Sequence, residues 1–305
     1  MKKSLFYSCY APRYEKEKKE DKTLLPFMEQ VIKYTKDDGY DGIEILPGGD
    51  LGGDNAVEYS KKLRDLLDTE GVDCACFSFG GSMLFDPKEA LAKFKKYVDV
   101  TSELGSPYYH HTFQCSFNQK DLPADLTIYR NAEKIFVELG KEIAYYAGEK
   151  GITCIYEDQG LYVNTVERMS NLIHEIGLPN TGVCLDIGNS YDFDVLPEAF
   201  AGAFASITKH VHIKDMIKCD ANLCPGEGWS PSVSGTWYKY CVPGTGIVDM
   251  EKIFNILLLA GYDGYFSLEN QNAIYNLKDE KADADIAESF KNIERAYNRA
   301  KASVR

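Results

Sequence analysis

The sequence predicts an α/β fold, a closed (β/α)8 barrel, on three observations. Its length of 305 residues is close to the roughly 250 residues typical of a one-domain α/β barrel. Short runs rich in β-branched and aromatic residues alternate with longer segments whose apolar residues recur at i, i+3 and i+4, the βαβα signature of a parallel sheet. Eight such runs occur, and the step between strand ends is mostly near thirty residues, about one βα unit. One domain over 1–305 is therefore expected, with an enlarged loop at about 216–248. A chain of this size can bury roughly three quarters of its surface and needs no staples.

In chain order the expected strands are Leu5–Cys9, Gly42–Leu46, Val72–Phe77, Pro107–Phe113, Ile152–Glu157, Gly182–Asp186, His210–Lys214 and Tyr265–Glu269. Helical periodicity places helices at Leu24–Thr35, Ala56–Thr69, Glu89–Glu103 and Asn131–Glu149, and Ile286, Phe290, Ile293 and Tyr297 share one face of the last helix. Gly-Tyr-Asp-Gly occurs at Gly39–Gly42 and again at Gly261–Gly264, each time before a strand. A helix C-cap followed by a tight turn, with glycines at positive φ, accounts for both. The stretch Met216–Val248 is too long, too glycine-rich and too aromatic for a simple turn, as lids and binding loops are.

The formal net charge of −13 argues against a nucleic-acid or anionic-membrane partner, because either requires a basic surface. A small polar substrate in a cleft is compatible with it. Nine cysteines stand at irregular spacings (Cys9, Cys74, Cys76, Cys115, Cys154, Cys184, Cys219, Cys224 and Cys241), several inside apolar runs where a reduced thiol packs. That usage suits a reducing cytoplasm. Lys2 and Lys3 open no signal peptide, since Arg13 and the charge run Glu15–Lys22 break the apolar stretch at once. No window of about 18 apolar residues exists to span a membrane.

In a parallel barrel the catalytic groups stand at the C-terminal ends of the strands. The last four expected strands end in Glu157-Asp158, Asp186, His212 with Asp215 behind it, and Glu269-Asn270. A carboxylate at the end of a buried strand costs several kcal/mol unless paired or metal-bound. Few arginines lie near these three in sequence, so the group asks for a cation. An oxygen-rich set with one imidazole favours Mn²⁺, with Mg²⁺, Co²⁺ or Zn²⁺ as alternatives. Taken singly, each residue is as well explained as a loop cap or a lysine partner; four on consecutive strands favour the metal. No usable G-x-G-x-x-G or G-x-x-x-x-G-K-[ST] is present, so no nucleotide cofactor is expected.

The motifs Y-E-D-Q at Glu157, L-D-I-G-N at Asp186, H-V-H-I-K-D at His212, V-P-G-T-G-I-V-D ending at Asp249 and G-Y-x-G-x-F-S-L-E at Glu269 occur in this order between Ile152 and Asn270. In this order and spacing the chain resembles the xylose isomerase-like TIM-barrel superfamily of sugar and sugar-phosphate isomerases and epimerases, which also includes inosose dehydratases and endonuclease IV. The resemblance implies that Glu157, Asp186, His212 and Glu269 hold one divalent metal. It also implies that Glu157 and Glu269 act as the acid/base pair on opposite faces of a ketose, as in the family's 3-epimerases. A metal bridging the ketone and the adjacent hydroxyl stabilises the enediolate such a reaction forms. Two departures stand out. Asn189 occupies the place where most members have histidine; its amide can bind a substrate hydroxyl but cannot titrate. D-I-G-N is shared with the L-xylulose 5-phosphate 3-epimerase branch. Lys218 stands where the sugar epimerases have arginine, keeping the charge without the planar fork.

Other residues carry open alternatives. Glu44, ending the second strand, contacts substrate, or contacts the groups behind the ligands, or pairs with Arg13. Of His110 and His111, alternation points one into the barrel, and His111 is the one expected to reach a substrate hydroxyl, a packed core histidine being its bland alternative. His210 shares the face of His212 one layer deeper, and Asp215 is expected to orient a ligand or a lysine. Ser78-Phe79-Gly80-Gly81-Ser82 reads as an ordinary turn before it reads as a phosphate cradle. Cys219, Cys224 and Cys241 lack the spacing of a metal site. Trp229, Trp237, Tyr238 and Tyr240 either stack on a sugar or cover a neighbouring copy in a homo-oligomer.

The reading is a divalent-metal-dependent isomerase or epimerase of a ketose or ketose phosphate. The alternative on the same site is a lyase, dehydrating a keto-inositol or cleaving an oxidised glycoside. An abasic-site endonuclease would need many more metal ligands than five histidines allow, and charge −13 opposes it. A non-catalytic sugar-binding protein would have no need of both glutamates.

Overall fold

A computed structural model describes residues 1–114, 122–271 and 280–304; Cys115 lies outside the described residues. The strands are β1 (Lys2–Phe6), β2 (Gly42–Ile45), β3 (Asp73–Phe79), β4 (Tyr108–His111), β5 (Thr153–Tyr156), β6 (Thr181–Asp186), β7 (Thr208–Ile213), β8 (Asp215–Cys219), β9 (Ser230–Pro231), β10 (Trp237–Cys241) and β11 (Tyr265–Leu268). The helices are α1 (Ala11–Glu20), α2 (Phe27–Asp37), α3 (Ala56–Glu70), α4 (Pro87–Leu104), α5 (Tyr129–Gly148), α6 (Val166–Ile176), α7 (Pro197–Phe204), α8 (Met250–Leu259) and α9 (Ala282–Ser303). Eight strands close in the order β1-β11-β7-β6-β5-β4-β3-β2, so the fold is the expected (β/α)8 barrel. Its strands are buried along most of their length, as parallel strands covered on both faces must be.

Close contacts divide the chain into two units. The first comprises Met1–Glu44, Leu66–Asp73 and Leu185–Arg305. Here β1 lies between β11 and β2, with Lys3 opposite Phe266 and Phe6 opposite Glu44. Strand β7 joins the other side of β11, with His212 opposite Ser267. Helices α8 and α9 cover this sheet through Phe254 and Tyr297, whose rings both meet Phe266. The repeated Gly-Tyr-Asp-Gly behaves as expected: Gly39 and Gly261 take φ of 74° and 82° just after α2 and α8.

The second unit comprises Ile45–Asp65 and Cys74–Cys184. It contains β3, β4, β5 and the start of β6 in parallel register. Cys76, Ile155 and Cys184 form a core cluster, so these thiols pack as the apolar runs imply. Asp86 accepts the Glu89 N–H at the start of α4, and Thr165 accepts the Arg168 N–H at the start of α6. Each cap satisfies a donor that a helix leaves open.

Three expectations are corrected. The first strand ends at Phe6 because Tyr7–Tyr10 turns as a 3-10 segment. The charge run after it is helical, and α1 holds Arg13 against Glu17 at 3.1 Å, one turn apart. The stretch after β7 is not all loop: β8, β10 and β9 make a three-stranded antiparallel sheet. Asp215 holds the start of that insertion to its end. Its Oδ1 accepts the N–H of Met216 at 2.8 Å and of Val248 at 3.1 Å; its Oδ2 accepts those of Gly244 at 2.9 Å and Gly246 at 2.8 Å. The expected role of orienting a ligand is thus replaced by that of anchoring the insertion.

Asp215→Ala strips four backbone donors of their acceptor, and a buried unsatisfied donor costs about 1–3 kcal/mol. Chemical denaturation should show a loss of at least about 2 kcal/mol, with limited proteolysis cutting first between 216 and 248. Unchanged stability would refute the anchoring role.

Candidate active site

The ends of β6, β7 and β11 bring three of the expected ligands together within the first unit. Asp186, the last residue of β6, turns Oδ1 back onto the N–H groups of Gly188 at 2.7 Å and Asn189 at 2.8 Å. Its Oδ2 points the other way, 3.8 Å from His212 Nδ1. Glu269 follows β11, its backbone N–H bonded to Ile213 of β7 at 2.9 Å. The Gln271 side chain donates to Glu269 Oε1. One ligand atom from each of Asp186, His212 and Glu269 lies within 4.8 Å of the others.

Glu44 decides which nitrogen His212 offers. The carboxylate is 0% exposed and can only accept hydrogen bonds. His212 Nε2 donates to its Oε1 at 2.9 Å, while His210 Nε2 at 2.8 Å and Ser267 Oγ at 2.7 Å donate to its Oε2. Burial alone would raise this carboxyl, but the imidazoles of His212 and His210 outweigh it and hold Glu44 well below the usual carboxylate range. With its Nε2–H given to Glu44, the His212 ring turns Nδ1 toward Asp186. This is the carboxylate–histidine arrangement that fixes a metal ligand's tautomer. The donor set therefore fits a divalent cation: one imidazole nitrogen and two carboxylates, each ligand held from behind. Arg13 pairs with Glu17 and Asp38. The Glu44 oxygens face the two histidines, which agrees with the expected contact to groups behind the ligands.

Lys214 is the residue that sequence reasoning missed. Its side chain is 3% exposed, and its Nζ lies 2.9 Å from Asp186 Oδ2, 2.6 Å from Glu269 Oε2 and 3.0 Å from Asn189 Oδ1. Two positions after His212 on alternating backbone, it shares that residue's face; that spacing was the available signal. Gly188 leaves room for it, since a Cβ there would stand 2.5 Å from Lys214 Cγ. Asn189 is 7% exposed and its Nδ2 has no hydrogen-bond partner among the described residues. The Tyr240 ring centroid lies 6.0 Å from Lys214 Nζ.

In the second unit, Glu157 follows β5, buried, with Oε2 3.5 Å from His110 Nε2. His111 takes the opposite face, among the rings of Phe94, Tyr109, Phe113 and Tyr156. This corrects the expectation that His111 reaches substrate: His110 faces the glutamate and His111 is packed in the core. Two adjacent histidines carry no sign of which one faces inward until α4 supplies Phe94. Burial pushes His111 down to about 3. Gly81 N–H and C=O are both bonded to Thr112 Oγ1, which supports the turn over the phosphate cradle.

Lys218 stands on β8 with its side chain half exposed, 4.0 Å from Asp220, and no described ion pair joins it to the site carboxylates. Cys219 and Cys241 lie at opposite ends of the β8–β10 ladder, opposite Trp237 and Asp215. Burial pushes the Cys9 thiol up to about 12 and the Cys241 thiol up to about 11. No helix among the described residues is long and apolar enough to cross a membrane.

The family model for xylose isomerase-like TIM barrels matches residues 32–296. An inosose dehydratase of Geobacillus thermodenitrificans is 24% identical over 248 residues, 79% of this chain and 81% of that protein. Among solved structures, the IOLI protein with a bound zinc atom aligns at TM-score 0.72 and 16% identity, covering 98% of this chain and 99% of that one. D-allulose 3-epimerase from Methylomonas sp., in complex with D-allulose, aligns at TM-score 0.69 and 18% identity over 97% of each chain. At such identities the two structures establish the shared fold.

Glu44→Gln should weaken Mn²⁺ binding about 10–100-fold, the usual cost of losing a carboxylate behind a metal-bound imidazole. Isothermal titration reads this directly, and unchanged affinity would detach Glu44 from the site. His111 makes a separate prediction. Its folded-state value lies far below the ordinary 6.5, so between pH about 6.5 and about 3 the unfolded chain binds the proton more readily. The stability from keeping this ring neutral is therefore complete above about 6.5 and lost as pH falls toward 3. His111→Phe should flatten the acid limb of the thermal-midpoint curve relative to the parent protein.

Proposed function

The chain belongs to the xylose isomerase-like TIM-barrel family, and we propose that it is a metal-dependent dehydratase of a small polyhydroxylated ketone. The observation that carries this is the convergence of Asp186, His212 and Glu269 within 4.8 Å at strand C-termini. Dehydration, rather than the epimerisation favoured by the sequence motifs, is supported by relatives that align over most of their length and are named inosose dehydratases. Their identities of 24% and 23% support a reaction class and leave the substrate to experiment.

We assign Glu157, Asp186, His212 and Glu269 as the ligands of one divalent ion, Mn²⁺ before Mg²⁺, Co²⁺ or Zn²⁺. Glu157 follows β5 as Asp186 ends β6, and these strands are paired with Tyr156 opposite Val183. When bound, the ion supplies a Lewis acid that draws charge from the ketone oxygen. The chain's own groups move the protons. One of Glu157 and Glu269 accepts the proton from the carbon next to the ketone, and the other gives a proton to the departing hydroxyl. A C–H and a C–O bond break, a C=C bond forms and water leaves. Asn189 offers its free Nδ2–H to a substrate oxygen, and the Tyr240 ring covers an apolar face of the substrate.

A second reading keeps the same first step and returns the proton to the opposite face, epimerising a ketose. The pair of glutamates favours it, since two carboxylates suffice without a leaving group. Product mass separates the two. With Mn²⁺ present, keto-inositols should lose one water, read by mass spectrometry and NMR; a stereoisomer of unchanged mass formed from a ketose would establish epimerisation instead. Glu157→Gln and Glu269→Gln should each lower kcat by about 10²–10⁴-fold, the range of general acid–base catalysis. Full turnover by either variant would remove that glutamate from the chemistry.

A further inference from the structure

We propose that Lys214 is a resident cation of the ligand set: a positioning residue whose ammonium shares Asp186 Oδ2 and Glu269 Oε2 with the divalent ion and opposes its binding. The inference rests on the metal site assigned above and adds to it a residue with no place among the ligands. A buried ammonium needs anionic partners, and Lys214 has two of the proposed ligands among its partners, at 2.9 and 2.6 Å.

The oxygens left over explain why the two cations must share. Asp186 Oδ1 is held by the N–H groups of Gly188 and Asn189, so Oδ2 is the oxygen that faces both Lys214 Nζ and His212 Nδ1. Glu269 Oε1 receives the Gln271 amide, and Oε2 faces the lysine. Like charges drawn to the same two oxygens repel each other. Without an ion, Lys214 keeps Asp186 and Glu269 from facing one another uncompensated. With one, it must yield part of Oδ2 and Oε2, and Asn189 Oδ1 at 3.0 Å remains as its neutral partner.

Removing the ammonium could in principle loosen the ligands as well as relieve the repulsion. Asp186 is also held by two backbone donors, Glu269 by Gln271 and His212 by Glu44. The ligand positions therefore survive the loss of Lys214, and charge decides the sign.

Lys214→Met, of similar length and no charge, tests this on the full chain by calorimetric titration with Mn²⁺ and by thermal unfolding in excess EDTA and in saturating Mn²⁺. The expected result is Mn²⁺ affinity tightened by about tenfold or more, on the scale at which groups behind the ligands tune metal affinity. The EDTA midpoint should fall while the upward shift on adding Mn²⁺ exceeds that of the parent. Equal or weaker affinity, or midpoints lowered equally in both conditions, would overturn the proposal and leave Lys214 a structural counter-ion. A parent protein that itself binds no Mn²⁺ would instead overturn the metal site. If Lys214→Met folds only when Mn²⁺ is added, that dependence supports the proposal; if it does not fold at all, Lys214→Gln takes its place in the same titration, where tighter Mn²⁺ binding supports the proposal and equal or weaker binding overturns it.

Discussion

Negative charge buried at strand ends is the constraint on which the surroundings of this site depend. Glu44 and Asp186 are buried, and Glu269 partly so, where a parallel barrel turns its strands into loops, and a carboxylate taken out of water without a partner is costly. Each is answered by a different device. Glu44 is answered by His210, His212 and Ser267, Asp186 by two backbone N–H groups and Lys214, and Glu269 by Lys214 and Gln271. Each answer also orients its carboxylate, so charge compensation and preparation of the site are one arrangement.

The same economy extends into the insertion after β7. Asp215 follows the lysine directly, and four backbone donors of the inserted segment converge on it. The segment carrying Tyr240 is thereby tied to the end of β7, which carries His212 and leads directly into Lys214. A site built on strand ends gains precision because the loops above it are held by the residues below.

The barrel was legible because eight buried strands at about one βα interval leave a pattern that needs no tertiary information. The positions of Asp186, His212 and Glu269 were legible for a related reason: a polar residue ending an apolar run has few bland explanations. Lys214 does not stand out as part of the group, although it sits on the same face as His212, because a lysine near a strand end is ordinarily solvated. Its meaning comes from carboxylates that reach it from β6 and β11, far away in sequence. The histidine pair at the end of β4 was misassigned for a simpler reason. Alternation says that the two rings face opposite ways, and only the aromatic side chains around His111 say which.

By itself, the sequence determined the barrel, the strands that matter and the residue types at their ends, all of which are carried by local periodicity and by the cost of burying charge. Tertiary structure decided the pairings. It set Glu44 against His210 and His212 where the sequence left substrate, the groups behind the ligands and Arg13 open, made Asp215 the anchor of the insertion, and placed a lysine where the sequence asked only for a metal. These are contacts between strands that neighbour each other only after folding, such as Glu44 with His212, 168 residues apart. Local pattern holds no record of which distant residue will arrive.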